Sequence, residues 1–71
     1  MEYTVIIHKA KEGGYWAEVP ALEGCFSQGE TVEETLKNIR EAISCHLKAL
    51  RSEGRKIPKD EILIFSKVEG A

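Results

Sequence analysis

One stretch of this chain, and only one, has the spacing of an amphipathic helix. Between Thr31 and Gly54, apolar residues recur at Val32, Leu36, Ile39, Ile43, Leu47 and Leu50, which places them along one helix face. Thr31 is positioned to cap the first free N–H groups, and Glu34 to bond back to the Thr31 amide. Glu33 and Glu34 suit the positive end of the helix dipole, while Gly54, with Arg51, Arg55 and Lys56 nearby, marks the other end. Whatever else folds has to be organised around this single helix.

The remaining segments read as strands. Tyr3-Thr4-Val5-Ile6-Ile7-His8 is rich in β-branched and aromatic residues. Lys11-Glu12-Gly13-Gly14 is a turn, and Tyr15-Trp16-Ala17-Glu18-Val19 is the return strand, stopped by Pro20. Gly24 marks another turn, and Cys25-Phe26-Ser27-Gln28 forms a short third strand. After the connector Ile57-Pro58-Lys59-Asp60, the run Glu61-Ile62-Leu63-Ile64-Phe65 reads as a last strand. The fold class is therefore α+β: an antiparallel three-stranded meander, one helix and a final strand, in the order β-β-β-α-β. With 71 residues there is room for one domain, spanning 1–71.

A sheet has two faces, and one helix covers only one of them. Alternation puts Tyr3, Val5 and Ile7 on one side with Tyr15, Ala17 and Val19, a uniformly apolar set suited to the helix. The opposite face then carries Ile6, His8, Trp16 and Glu18, together with either Ile62 and Ile64 or Leu63 and Phe65 from the last strand. Leaving Ile6, Trp16 and two of those residues wet forgoes about 8 kcal/mol, comparable to the whole stability of a small domain. Two solutions exist. The C-terminal tail or a loop folds over this face, or the face is an interface, used for self-association or for a protein partner.

Specific residues narrow the choice. The stretch from Gly14 to Thr31, Gly-Tyr-Trp-Ala-Glu-Val-Pro-Ala-Leu-Glu-Gly-Cys-Phe-Ser-Gln-Gly-Glu-Thr, resembles the signature of the HicB-like antitoxin family. An aromatic strand ends in Pro20, a Leu22-x-Gly24-Cys25 turn follows, and Gly29-Glu30-Thr31 opens the helix. The Glu33-Glu34, Asn38-Ile39 and Glu41-Ala42 pairs of the helix extend the match to Ile43. Glu23 departs from the proline most common before that turn glycine, which loosens the turn. The resemblance implies a partial RNase H-like fold, a homodimer or higher oligomer, and a HicA-type toxin as protein partner. The implied action is to sequester that small mRNA-cleaving toxin by masking its active site. Many members carry an added DNA-binding domain, which this stretch does not contain, so no direct DNA binding by this chain is expected. On this reading the face of Ile6, Trp16 and Glu18, with Phe65, serves self-association or toxin contact. Glu18, Glu30 and Glu34 would meet basic toxin residues. The alternative is an orphan homo-oligomer, a regulatory or small-molecule-binding protein with no toxin.

Composition and spacing weigh against other functions. A net charge of −2 gives no basic surplus for a free-standing nucleic-acid binder. The start Met1-Glu2-Tyr3-Thr4 lacks the features of a signal peptide, and no apolar run approaches a membrane span, so a cytoplasmic protein with no membrane contact is expected. Metal-assisted nuclease chemistry needs converging carboxylates, but the first strand has none in its interior. His8, Cys25, Cys45 and His46 lack the spacing of zinc ligands, so no metal and no cofactor is expected. Cys25 and Cys45 are read as packing residues, and a Cys/His nucleophilic pair has no support in the spacing. Trp16 as a base-stacking platform is disfavoured by its neighbours Glu12 and Glu18. No enzymatic activity is expected.

Overall fold

The computed structural model describes residues 2–62 and 64–70. Strands β1 (Ile6–Lys9), β2 (Tyr15–Glu18) and β3 (Phe26–Gly29) are followed by helix α1 (Val32–Ser52). The strands form one antiparallel sheet in the order β1-β2-β3, with Ile7 opposite Ala17 and Ala17 opposite Ser27. This is the α+β meander and helix that the alternation and the helical period specify.

The turns are closed by backbone bonds. Ala10 N–H donates to Gly14 O, and Gly13 N–H to Ala10 O, with Gly13 and Gly14 both at positive φ. Between β2 and β3, Leu22 N–H donates to Val19 O, Cys25 N–H to Leu22 O and Val19 N–H to Cys25 O. The turn therefore closes with Glu23 in place of a proline.

Helix α1 starts where its sequence says it must, with one difference in detail. Thr31 Oγ1 accepts from Glu34 N–H at 3.0 Å, as a cap should. The Glu34 carboxylate accepts from the Glu30 amide at 2.9 Å rather than from that of Thr31, reaching one residue further back along the chain. At the other end, Arg55 N–H donates to Leu50 O and Gly54 N–H to Arg51 O, with Gly54 at φ +68°, a Schellman-type stop. Among the described residues, no helix is long and apolar enough to cross a membrane.

The core lies between α1 and the sheet. Ala17, Val19, Leu22, Cys25 and Ile39 are buried together, with Tyr3, Val5, Ile7, Ala42, Ile43 and Leu47 packed at their margin. Each large apolar side chain buried this way contributes about 1.5–3 kcal/mol. The helix approaches closely at Gly29: a Cβ built there would stand 2.7 Å from Thr35 N and 2.8 Å from Thr35 Oγ1. Thr35 is fully buried, and its hydroxyl donates to Thr31 O at 2.7 Å, so the buried polar group is satisfied within the helix. Thus the glycine before the helix is required because the helix rests on it.

Three sequence expectations change. The apolar stripe is not buried along its whole length, because Val32 and Leu36 are 42% and 39% exposed. Cys45 is exposed rather than a packing residue, since it sits outside the buried arc of α1. The final strand over 61–65 is absent from the described residues of that segment: Glu61, Ile62, Ile64 and Phe65 have no strand pairing, and Leu63 lies outside the described residues. Side chains tie the connector just ahead of this segment to the start of the chain. Tyr3 OH donates to Pro58 O at 2.6 Å and Thr4 Oγ1 to Asp60 Oδ2 at 2.7 Å, ahead of the first β1 residue. Pro58 has no N–H for a ladder, and Ile64 and Phe65 remain largely exposed, so burial does not draw the segment onto the sheet.

Two outcomes follow. Gly29→Ala should lower the unfolding free energy by about 1–3 kcal/mol, read from the urea midpoint by circular dichroism, because both contacting atoms belong to the helix start. Burial pushes the Cys25 thiol above its ordinary pKa. In the folded protein at about pH 8, iodoacetamide should therefore label Cys45 and spare Cys25, with both labelled in denaturant; peptide mass mapping reads the difference.

Candidate functional site

The register sorts the strand side chains into two sets. Ile7 and Ala17 face α1. Between them, pointing the opposite way, lie two cross-strand rows: Ile6, Glu18 and Phe26, then His8, Trp16 and Gln28. Since α1 occupies the other side, this face has no helix over it.

The rows are held together by their own side chains. The His8 ring stacks on Trp16 with centroids 4.1 Å apart and planes 15° from parallel. Phe26 stands against Trp16 at 6.3 Å, tilted by 51°. His8 Nε2 lies 2.6 Å from Glu18 Oε2. An ionised carboxylate only accepts, so Nε2 carries the hydrogen and donates. Glu18 is the centre of the patch, with Ile6 and Phe26 beside it across the ladder and Trp16 two residues away on its own strand. Its side chain keeps 32% exposure and Phe26 keeps 58%, so the surface is apolar, aromatic and open around one carboxylate.

The residues expected at the site fall into three neighbouring places. Ile6, Trp16 and Glu18 share the open face, as expected. Phe65 lies at one margin, where it lines an apolar groove of about 380 Å³ with Thr4, Val5, Ile6, Ile7 and Lys67. Glu30 lies at the other, in a polar groove with Tyr15, Gln28, Glu34 and Asn38. Ile6 and Gln28 each belong to both the face and a groove, and so connect the three. Glu34 is committed to the helix start through the Glu30 amide. Phe26 and Gln28 join the face as well, and the signal for them in the sequence is the strand alternation continued into β3. The sequence puts His8 on this face but gives it no role, because its contact with Glu18 is diagonal across two strands.

Among the described residues, the carboxylates and thiols weighed for hydrolysis lie in different parts of the fold. Glu18 is bonded to His8 on the sheet, while Glu34 is bonded at the helix start. Cys25 is buried and Cys45 exposed on the helix. Among the described residues, no group of three His, Cys, Asp or Glu side chains is arranged to hold a metal ion.

Comparison with known proteins gives a consistent result. The family model described as HicB_like antitoxin of bacterial toxin-antitoxin system matches residues 3–67. A UPF0150 protein of Thermoplasma acidophilum is 52% identical over 60 residues, covering 84% of this chain and 87% of that one. A UPF0150 protein of Helicobacter pylori is 46% identical over 67 residues, covering 94% and 82%. A chain from the solved HicA3 and HicB3 toxin-antitoxin complex superposes with a TM-score of 0.67 at 38% identity, covering 79% of this chain. The match spans 64% of that chain, just under two thirds of its length.

The stacked pair supplies a spectroscopic check. Trp16 is the one tryptophan, and imidazole stacking provides a route for quenching its emission. His8→Leu should raise Trp16 fluorescence intensity while leaving the far-ultraviolet circular dichroism unchanged; an unaltered emission spectrum would show that the rings do not stack in solution.

Proposed function

Because the chain belongs to the HicB-like antitoxin family of bacterial toxin–antitoxin systems, we propose that it acts in the cytoplasm as an antitoxin, binding a HicA-type mRNA-cleaving toxin and masking its active site. The action is stoichiometric binding rather than catalysis. The observation that carries this reading is the sheet face opposite α1, where half-buried Ile6 and Trp16 and exposed Phe26 surround Glu18. Apolar area of that kind gains from being covered, and about 25 cal/mol is recovered per Å² removed from water. A net charge of −2 favours encounter with a basic RNA-binding surface. Ile6, Trp16 and Glu18 form the contact, with Glu30 and Phe65 at its two margins.

Self-association forms part of the proposal. Val32 and Leu36 are exposed on the first turns of α1, away from the open sheet face. A second copy can therefore be accommodated on the helix side while the sheet face remains available to the toxin.

Co-expression tests the reading. The chain should co-purify with a HicA-type toxin and suppress its mRNA cleavage near equimolar ratio. Phe26→Asp should weaken that binding at least about tenfold, a loss typical of an aromatic contact at the centre of an interface, with circular dichroism unchanged. Undiminished cleavage in the presence of excess wild-type chain would overturn the proposal.

A further inference from the structure

The open face contains an electrostatic problem that constrains what covers it. Glu18 lies at its centre, between Ile6 and Phe26 across the ladder and beside Trp16 along the strand. Exposed to water, a carboxylate there costs little. Once a partner covers the apolar residues, it loses its water, and a buried charge without a counter-charge is strongly unfavourable. Among the described residues its hydrogen-bond partner is His8, which satisfies Oε2 and leaves Oε1 available. A bond at one oxygen leaves Oε1 without a donor, and a charge-assisted partner is the strongest that a carboxylate can take. A cation on the covering surface, in the middle of an apolar contact, therefore completes this site.

The aromatic geometry selects the kind of cation. Trp16 is already stacked by His8 and in tilted contact with Phe26, so the ring left open beside the carboxylate is that of Phe26, 58% exposed. A guanidinium suits this setting better than an ammonium. It is flat enough to lie on a ring, less strongly hydrated, always charged, and able to direct two N–H groups at one carboxylate. A small free guanidine would leave Ile6 and most of Phe26 wet, whereas a protein surface covers them.

Resting on the antitoxin reading, we infer that the open sheet face is a receptor for an arginine side chain presented among apolar residues on the partner protein, with the Glu18 carboxylate taking the guanidinium and the exposed Phe26 ring, backed by Trp16, taking its plane. His8 is a positioning residue that fixes the carboxylate through Nε2.

The full chain can be titrated with acetyl-Leu-Arg-Leu-amide and with the same peptide carrying citrulline or lysine, following the Trp16 indole N–H by NMR. The arginine peptide should give a saturable shift and bind roughly two- to fivefold more tightly than either control. Glu18→Gln, which keeps an oxygen to accept from His8, should erase that preference. Citrulline binding as tightly as arginine, or a preference that survives Glu18→Gln, overturns the inference. The wild-type comparison among peptides stands even where the variant folds poorly. Light scattering that showed a second copy of this chain on the open face, through Arg40, Arg51 or Arg55 and lost on their replacement, would also overturn it. Toxin binding that is insensitive to Glu18→Gln ends this inference and leaves the antitoxin reading intact. An arginine preference without any toxin binding does the reverse.

Discussion

The rest of the structure depends on the close seating of α1 on Gly29. There the helix start comes so near the end of β3 that a methyl group would collide with the backbone and hydroxyl of Thr35. Thr31 caps the same turn, Glu34 reaches back to the Glu30 amide, and the buried Thr35 hydroxyl is satisfied by the Thr31 carbonyl. Asn38 adds a bond to the Gln28 carbonyl, at 2.7 Å. These contacts settle which side of the sheet the helix occupies and how it is aligned. Ile39 is then directed at Ala17, and the small core closes around them.

Fixing the helix on one side leaves the other side without a helix over it, and there the proposed contact residues collect. A row of aromatic and aliphatic side chains around a carboxylate is a poor outer surface for an isolated domain but a good inner surface for a complex. The internal stack of His8 on Trp16 and the bond from His8 to Glu18 give the face a defined shape before anything binds. A preformed surface loses less side-chain entropy on association than a loose one. Membership in an antitoxin family and the likeness to a chain from a toxin–antitoxin complex fit a molecule whose work is done by a surface.

Much of this was legible in the residues. Apolar spacing from Val32 to Leu50 located the helix, Thr31 and Gly54 its ends, and strict alternation in the first two strands separated Ile7 and Ala17 from Ile6, Trp16 and Glu18. The Gly14–Ile43 pattern pointed to the family that the comparison then showed. The misreadings share a cause. Apolar character suggests burial at Val32, Leu36, Cys45 and the segment 61–65, but burial also requires something to lie against. In the first turns of α1 it is Thr35 that rests on the sheet, which leaves Val32 and Leu36 exposed, and the Tyr3 and Thr4 side chains hold the connector at Pro58 and Asp60 ahead of the segment 61–65.

Local pattern alone decided where the chain turns, which segment is helical and which strand residues share a side, because these depend on torsional preference and on periods of two and 3.6 residues. Only the tertiary structure decided that His8 meets Glu18 across two strands and lies flat on Trp16, that Phe26 completes the patch, and that Thr35 rests where Gly29 has no side chain. Those contacts join residues that are distant in the chain or diagonal in the sheet. Their distances follow from strand register and helix placement, which the packing of the whole molecule fixes together.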